Sequence, residues 1–269
     1  YTCHAAVVFI DLSGYSKISA AIAHKGAHAL SSVVNSYLAK ILQIVHNRGG
    51  DVVKFAGDAV LVLWEGRKKE LGVNVKCASR CALEIQKEAG SHPVDPSQNL
   101  YFRNHIGLCC GEIESEVFEA PTYVNMQKLY HAVGGDALNE ITEVVDLAKA
   151  GEVCVASCCV HYLEGMADYR EIDPSKKSFL SDGKILVDLR FDNELESELD
   201  QHIETSLMAR MCRRNQKVEE DFIHPSVLRQ LSHGGHNPTQ IAQIRNLCVL
   251  FIAMTSSGSS VNWLMEVQG

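Results

Sequence analysis

Two aspartates are placed where a carboxylate could do chemistry. Asp11 closes the apolar run "AAVVFI" and is followed at once by Leu12-Ser13-Gly14, the pattern of a strand turning into a helix. Asp58 shares with Gly57 the two-residue junction between two apolar stretches, residues 52–56 and 59–64. Tight hairpin turns need a residue that tolerates positive φ, so a Gly-Asp junction between such stretches predicts a hairpin with Asp58 at its tip. Each aspartate has a plain structural explanation, turn chemistry for Asp58 and an N-cap for Asp11. Taken together they suggest something else. A strand-to-helix turn offers backbone N–H groups and a helix N-terminus to phosphate oxygens. Two carboxylates beside it make a site for hard cations carrying a nucleotide phosphate.

The elements that must position them alternate along the chain. The opening run, uninterrupted by polar residues, reads as a strand buried on both faces. From 17 to 47, Ile18, Ile22, Leu30, Val34, Leu38, Ile41 and Val45 recur at helical spacing, and Gly49-Gly50 end the helix. The hairpin follows, then a helix over 70–90, two strands in "HIGLCCGEIESEVF", a strand, Gly-rich turn, helix and strand over 129–157, and a last strand over 182–190. Two strand-helix-strand halves around a hairpin predict an α+β, ferredoxin-like sandwich: one sheet with helices on one face, occupying residues 1–190. In such a sheet the first strand and the hairpin are neighbours.

Residues 191–243 change character. "ELESELDQHIETSLMARMCRRNQKVEEDF" is charged at helical spacing and "SHGGHNPTQ" is a break, so this segment reads as a helical linker with a solvated face. Over 244–269 the chain repeats its opening: "VLFIAMT" lies on "VVFIDLS", with Ala253 where Asp11 stood. A second copy of the domain starts there.

Composition excludes several classes. The chain has 269 residues with 46% hydrophobic content, enough for a packed core, and its net charge of -8 argues against a nucleic acid polymer as partner. No apolar run has the length of a membrane span, and residues 1–30 lack the charged-apolar-small order expected of a signal peptide. The chain begins at Tyr1 with a strand directly behind it, as a piece lacking its native N-terminus would. The cysteines lack zinc-finger spacing, "CC" at Cys109 and Cys158 reads as buried filler, and a reducing cytosol is the expected setting.

"FIDLSGYS" and "GGDVVKFAGDAVLVLW" together resemble the two metal-site segments of class III nucleotidyl cyclases, with the soluble, bicarbonate-responsive adenylyl cyclases the nearest group. The likeness runs over about residues 5–190, and the linker with its repeat is similar to that group's tandem domains. It implies an adenylyl cyclase that forms cyclic AMP and pyrophosphate from ATP. Asp11, Asp58 and the Leu12 carbonyl would hold two Mg²⁺ or Mn²⁺ ions. Leu12, Ser13, Gly14, Tyr15 and Ser16 would cradle the phosphates, and Lys54 would stand close to the reacting end.

The departures are as informative. Where relatives place an ATP-holding Lys before "IG", this chain has His105. On the helix after the Gly-rich turn, Asn139 matches the family's catalytic Asn, but Glu143 replaces its Arg, and a carboxylate cannot stabilise a developing oxyanion. Thr142 stands where bicarbonate-responsive relatives carry another Arg, so bicarbonate control is doubtful. The resemblance therefore implies the metal-binding half of an asymmetric pair, inactive until a second cyclase domain supplies the rest. Two alternatives stay open: a degenerate, non-catalytic module that binds nucleotide or a partner, and another two-metal phosphoryl-transfer enzyme such as a diguanylate cyclase or polymerase palm. "GGDAL" at Gly134 has the letters of a diguanylate cyclase motif but is expected to open a helix.

Overall fold

A computed structural model describes residues 1–56, 58–120, 128–176 and 183–213. The start of the repeat over 244–269, the later part of the linker and Gly57 lie outside the described residues. In chain order the elements are β1 (Thr2–Ser13), α1 (Tyr15–Ile22), α2 (Ala27–Asn47), β2 (Asp51–Ala56), β3 (Ala59–Gly66), α3 (Leu71–Ala89), β4 (Ser91–Asp95), β5 (Leu100–Ala120), β6 (Lys128–Gly134), α4 (Asp136–Leu147), β7 (Val153–Ala156), α5 (Ser157–Val160), β8 (Ala167–Arg170), β9 (Gly183–Leu189) and α6 (Asn193–Arg213).

The strands form one mixed sheet in the order β2-β3-β1-β5-β7-β9-β8, with β4 and β6 also pairing to the long β5. β1 sits centrally, antiparallel to β3 on one side and to β5 on the other. Its apolar run serves both faces. Ala6, Val8, Ile10 and Leu12 enter the main core with residues of α1, α2, α3 and α6, while Ala5 and Val7 lie on the opposite face with Ile141 and Val144 of α4. The expectation of helices on one face is thus corrected: the run Ala5–Ile10, apolar at every position, needs a cover on each side, and α4 is the second cover.

Two further expectations change. The helix read over 17–47 is two, α1 and α2, broken by a 3-10 turn (Ala23–Lys25) and by Gly26 at φ 86°. Ile22 and Leu30 keep helical phase across the break, so periodicity alone joins them. The two strands read in "HIGLCCGEIESEVF" are one, β5, that passes through Gly111 without turning. A Cβ on Gly111 would meet the Ala137 methyl at 3.4 Å, so that glycine admits a helix rather than a bend. The charged segment after 190 begins as α6, whose Leu199 and Ile203 are buried in the main core. Its Glu196 and Asp200 pair with Arg80 of α3.

Candidate functional site

The β1–β5 register places Asp11 directly opposite His105, and Ser13 opposite Arg103. Asp11, His105 and Ser13 share a face of the sheet, and the imidazole joins the other two. Nε2 lies 3.2 Å from Asp11 Oδ2 and Nδ1 lies 2.9 Å from Ser13 Oγ. A neutral ring satisfies both contacts when Nε2–H donates to the carboxylate and Nδ1 accepts from the serine hydroxyl. His105 thereby fixes the orientation of Asp11.

The Asp11 carboxyl is pushed above its ordinary value, first by burial and then by the negative fields of Asp58 and Asp146, against the pull of His105 and of a backbone hydrogen bond from Leu12. The Asp58 field at Asp11 means that the hairpin tip stands beside the end of β1. Asp58 is half-buried between β2 and β3, whose pairing closes with Ala56 opposite Ala59. Two carboxylates that repel each other at a half-exposed strand end fit a divalent cation, which removes the repulsion and supplies the charge both lack.

The turn after Asp11 is built for close approach. Gly14 is the N-cap of α1 at φ 93°, a conformation costly for other residues, and no side chain caps that helix. Asp11 is therefore not an N-cap, which removes its plain structural explanation. α1 starts directly after the strand end that carries Asp11, with Ser16 exposed and Tyr15 packed on the core. Lys54 is exposed on β2 opposite Leu61, which in turn pairs with Phe9. Strand alternation puts it on the same face as Asp11.

Sequence reasoning missed two participants. Asp146, on the exposed side of α4, reaches Asp11 through its field. α4 comes this close because β5 has no side chain at Gly107: a Cβ there would meet the Val145 backbone nitrogen at 2.8 Å. The signal was the glycine of "HIG". The second is Asn104, fully buried beneath His105, whose amide donates to Tyr37 Oη at 2.7 Å while Tyr37 Oη donates to the Ala89 carbonyl at 3.0 Å. This network anchors the strand that carries His105 to α2 and α3.

On α4, Asn139 and Thr142 are exposed and Glu143 is half-buried. The Thr142 hydroxyl donates to the Asn139 carbonyl at 3.2 Å, within its own helix. "GGDAL" runs from the end of β6 into the first turn of α4, as expected.

The adenylate and guanylate cyclase catalytic domain family profile matches residues 2–185. Adenylate cyclase type 10 of Rattus norvegicus is 32% identical over 158 residues, which are 57% of this chain and 9% of that protein. The protein of the same name from Oryctolagus cuniculus is 31% identical over the same shares. The chain thus spans under a tenth of the length of these curated relatives. Among solved structures, the adenylyl cyclase CyaB from P. aeruginosa superposes with a TM-score of 0.55 at 20% identity, covering 71% of this chain and 97% of that one. The guanylate cyclase domain of RhGC from Catenaria anguillulae, in complex with GTP, gives 0.57 at 18% identity and covers 71% and 100%. These likenesses establish the fold. Among the described residues no helix is long and apolar enough to cross a membrane.

Proposed function

The chain belongs to the adenylate and guanylate cyclase catalytic domain family, and from that premise we propose that it is the metal-binding half of an adenylyl cyclase, converting ATP to cyclic AMP and pyrophosphate once a second cyclase domain completes it. One observation carries the reading: Asp11 and Asp58, distant in sequence, lie close enough at one end of the central strands for the Asp58 charge to raise the Asp11 carboxyl, beside the uncapped start of α1. The similarity to adenylate cyclase type 10 favours ATP over GTP as substrate.

Asp11, Asp58 and the Leu12 carbonyl are the donors for Mg²⁺ or Mn²⁺, a set of hard oxygen ligands suited to those ions. Two such ions would acidify the ribose 3'-hydroxyl and neutralise the leaving pyrophosphate. The chain's own groups do the positioning. The turn through Ser13, Gly14, Tyr15 and Ser16 presents backbone N–H donors to the phosphates. His105 holds Asp11 and Ser13 in one fixed arrangement. Lys54 adds positive charge on the same face. What the chain lacks is a cation on α4, where Glu143 stands, so the charge that stabilises the pentavalent phosphorus must come from the partner domain. Thr142 offers a single neutral donor already used within α4, so bicarbonate, a strongly hydrated anion, finds too few donors there and should stimulate weakly or not at all.

A second reading, a nucleotide-binding module without catalysis, is favoured by one observation: His105 grips a metal-site carboxylate instead of reaching for phosphate. The experiment that separates the two is cyclic AMP formation from Mn²⁺-ATP by this chain alone and with an added second cyclase domain. Activity only in the mixture supports the proposal. Robust activity alone refutes the half-site assignment. Binding of Mn²⁺-ATP with no turnover in any mixture supports the non-catalytic module.

A further inference from the structure

Four cysteines that are remote in sequence converge at the end of β7. β5 and β7 run parallel with Leu108 beside Val155, so Cys109 and Cys110 extend just past the point where β7 gives way to α5. α5 turns Cys158 and Cys159 back over that edge. The Cys158 sulfur lies 3.5 Å from Cys109 Sγ and 3.9 Å from Cys159 Sγ, and the Cys110 thiol donates to the Cys158 carbonyl at 3.5 Å. Cys109 also donates to Glu140 of α4 at 3.3 Å. The donor atoms of Cys110, Cys158 and Cys159 lie within 4.8 Å of one another, as do those of Cys109, Glu140 and Cys158. Cys158 belongs to both groups and is the half-buried member, with the other three thiols buried.

We propose that Cys110, Cys158 and Cys159 bind one borderline-soft divalent ion of the Zn²⁺ class, at a thiolate site separate from the carboxylates of Asp11 and Asp58. A tetrahedral zinc with Zn–S bonds of about 2.3 Å holds its sulfurs about 3.8 Å apart; Cys158 and Cys159 already stand 3.9 Å apart, and Cys110 lies within 4.8 Å of both. Three thiolates select such an ion against the hard cations suited to Asp11 and Asp58. An arriving cation deprotonates the thiols that it binds. A buried set of thiols has a simpler use as apolar filler, but filler does not need three sulfurs gathered on a fourth. Bound metal would tie β5, the end of β7 and α5 together, and Glu140 brings α4 within reach of the same cluster.

The test uses the whole chain, reduced and stripped of metal, titrated with Co²⁺ as a spectroscopic stand-in and then with Zn²⁺. The expected result is one saturable equivalent with thiolate-to-cobalt charge-transfer absorption, displaced by Zn²⁺, unchanged in Cys3→Ser and lost in Cys158→Ser and Cys110→Ser. X-ray absorption on the zinc-loaded unmutated chain should show three sulfur neighbours at about 2.3 Å, a measurement that stands even if a variant fails to fold. Oxygen and nitrogen neighbours only, or a thiolate band that survives Cys158→Ser, overturns the proposal.

Discussion

The two faces of the sheet are built to different rules. Under α1, α2, α3 and α6 the main core is apolar, with Phe102 stacked on Tyr37 at 5.2 Å between centroids and buried polar groups hydrogen-bonded within it: Asn104 to Tyr37, Asn74 to the Trp64 carbonyl and Ser79 to the Val75 carbonyl. Under α4 the core is smaller and gives out toward the end of β1, where Asp11, His105, Ser13 and Asp146 collect. One face holds the sheet. The other leaves polar groups half in water, where a charged ligand can reach them and where burial still sharpens their fields. A single strand serves both, because alternate residues of β1 belong to different faces.

The comparison predicts different failures on each side. The largest effect should come from the filled face: Phe102→Ala removes a fully buried ring and should cost about 3–5 kcal/mol of stability, read by denaturant unfolding. Metal and nucleotide binding should be lost with the fold. A small cost would mean that the main core is looser than its packing indicates.

Asp58→Asn should do the reverse, lowering cyclisation by the completed enzyme at least about a hundredfold, or about 2.7 kcal/mol, with unfolding unchanged. Unchanged Mn²⁺-ATP affinity together with an unchanged rate would return Asp58 to a turn residue. Gly107→Ala tests the junction of the two faces. Its methyl meets the Val145 backbone, which has no rotamer to yield, so the substitution should cost about 1–3 kcal/mol. It should also displace α4 and weaken metal binding by more than a distant mutation of equal cost. Equal loss of both would make Gly107 purely structural.

What was legible in the sequence follows the same division. The unbroken apolar run of β1 and the Gly-Asp junction announced the strand and the hairpin, because those signals are local. Asp11 and Asp58 could be paired from them. The grip of His105 on Asp11 could not, since it depends on the β1–β5 register, set by residues far apart in the chain. Gly111 and Gly26 show the complementary failure. Glycine in a strand can mean a turn or a close helix, and glycine within a helical period can leave the phase of its neighbours intact while ending the helix. The thiol cluster was hidden for the same reason as His105: a parallel strand pair brings "CC" to "CC" across an intervening helix.

The smallest expected effect concerns the strain held at Asp11. Its folded-state carboxyl sits above the ordinary value, mainly through burial and then through Asp58 and Asp146 against the pull of His105. A carboxyl with a raised folded pKa binds its proton more tightly folded than unfolded, so ionised Asp11 withdraws stability as pH climbs past the unfolded value. Below that value the penalty vanishes. Asn keeps an oxygen that can accept from His105 but carries no charge. In chelator at neutral pH, Asp11→Asn should therefore melt slightly higher than the unmutated protein. The gap should close in acid, where both side chains are neutral. Mn²⁺ should reverse the order at neutral pH by stabilising only the protein that keeps its ligand, through binding to the folded state alone. A variant that melts lower in chelator would mean that Asp11 is held by its partners rather than strained against Asp58, and the two faces would then differ in composition but not in stored repulsion.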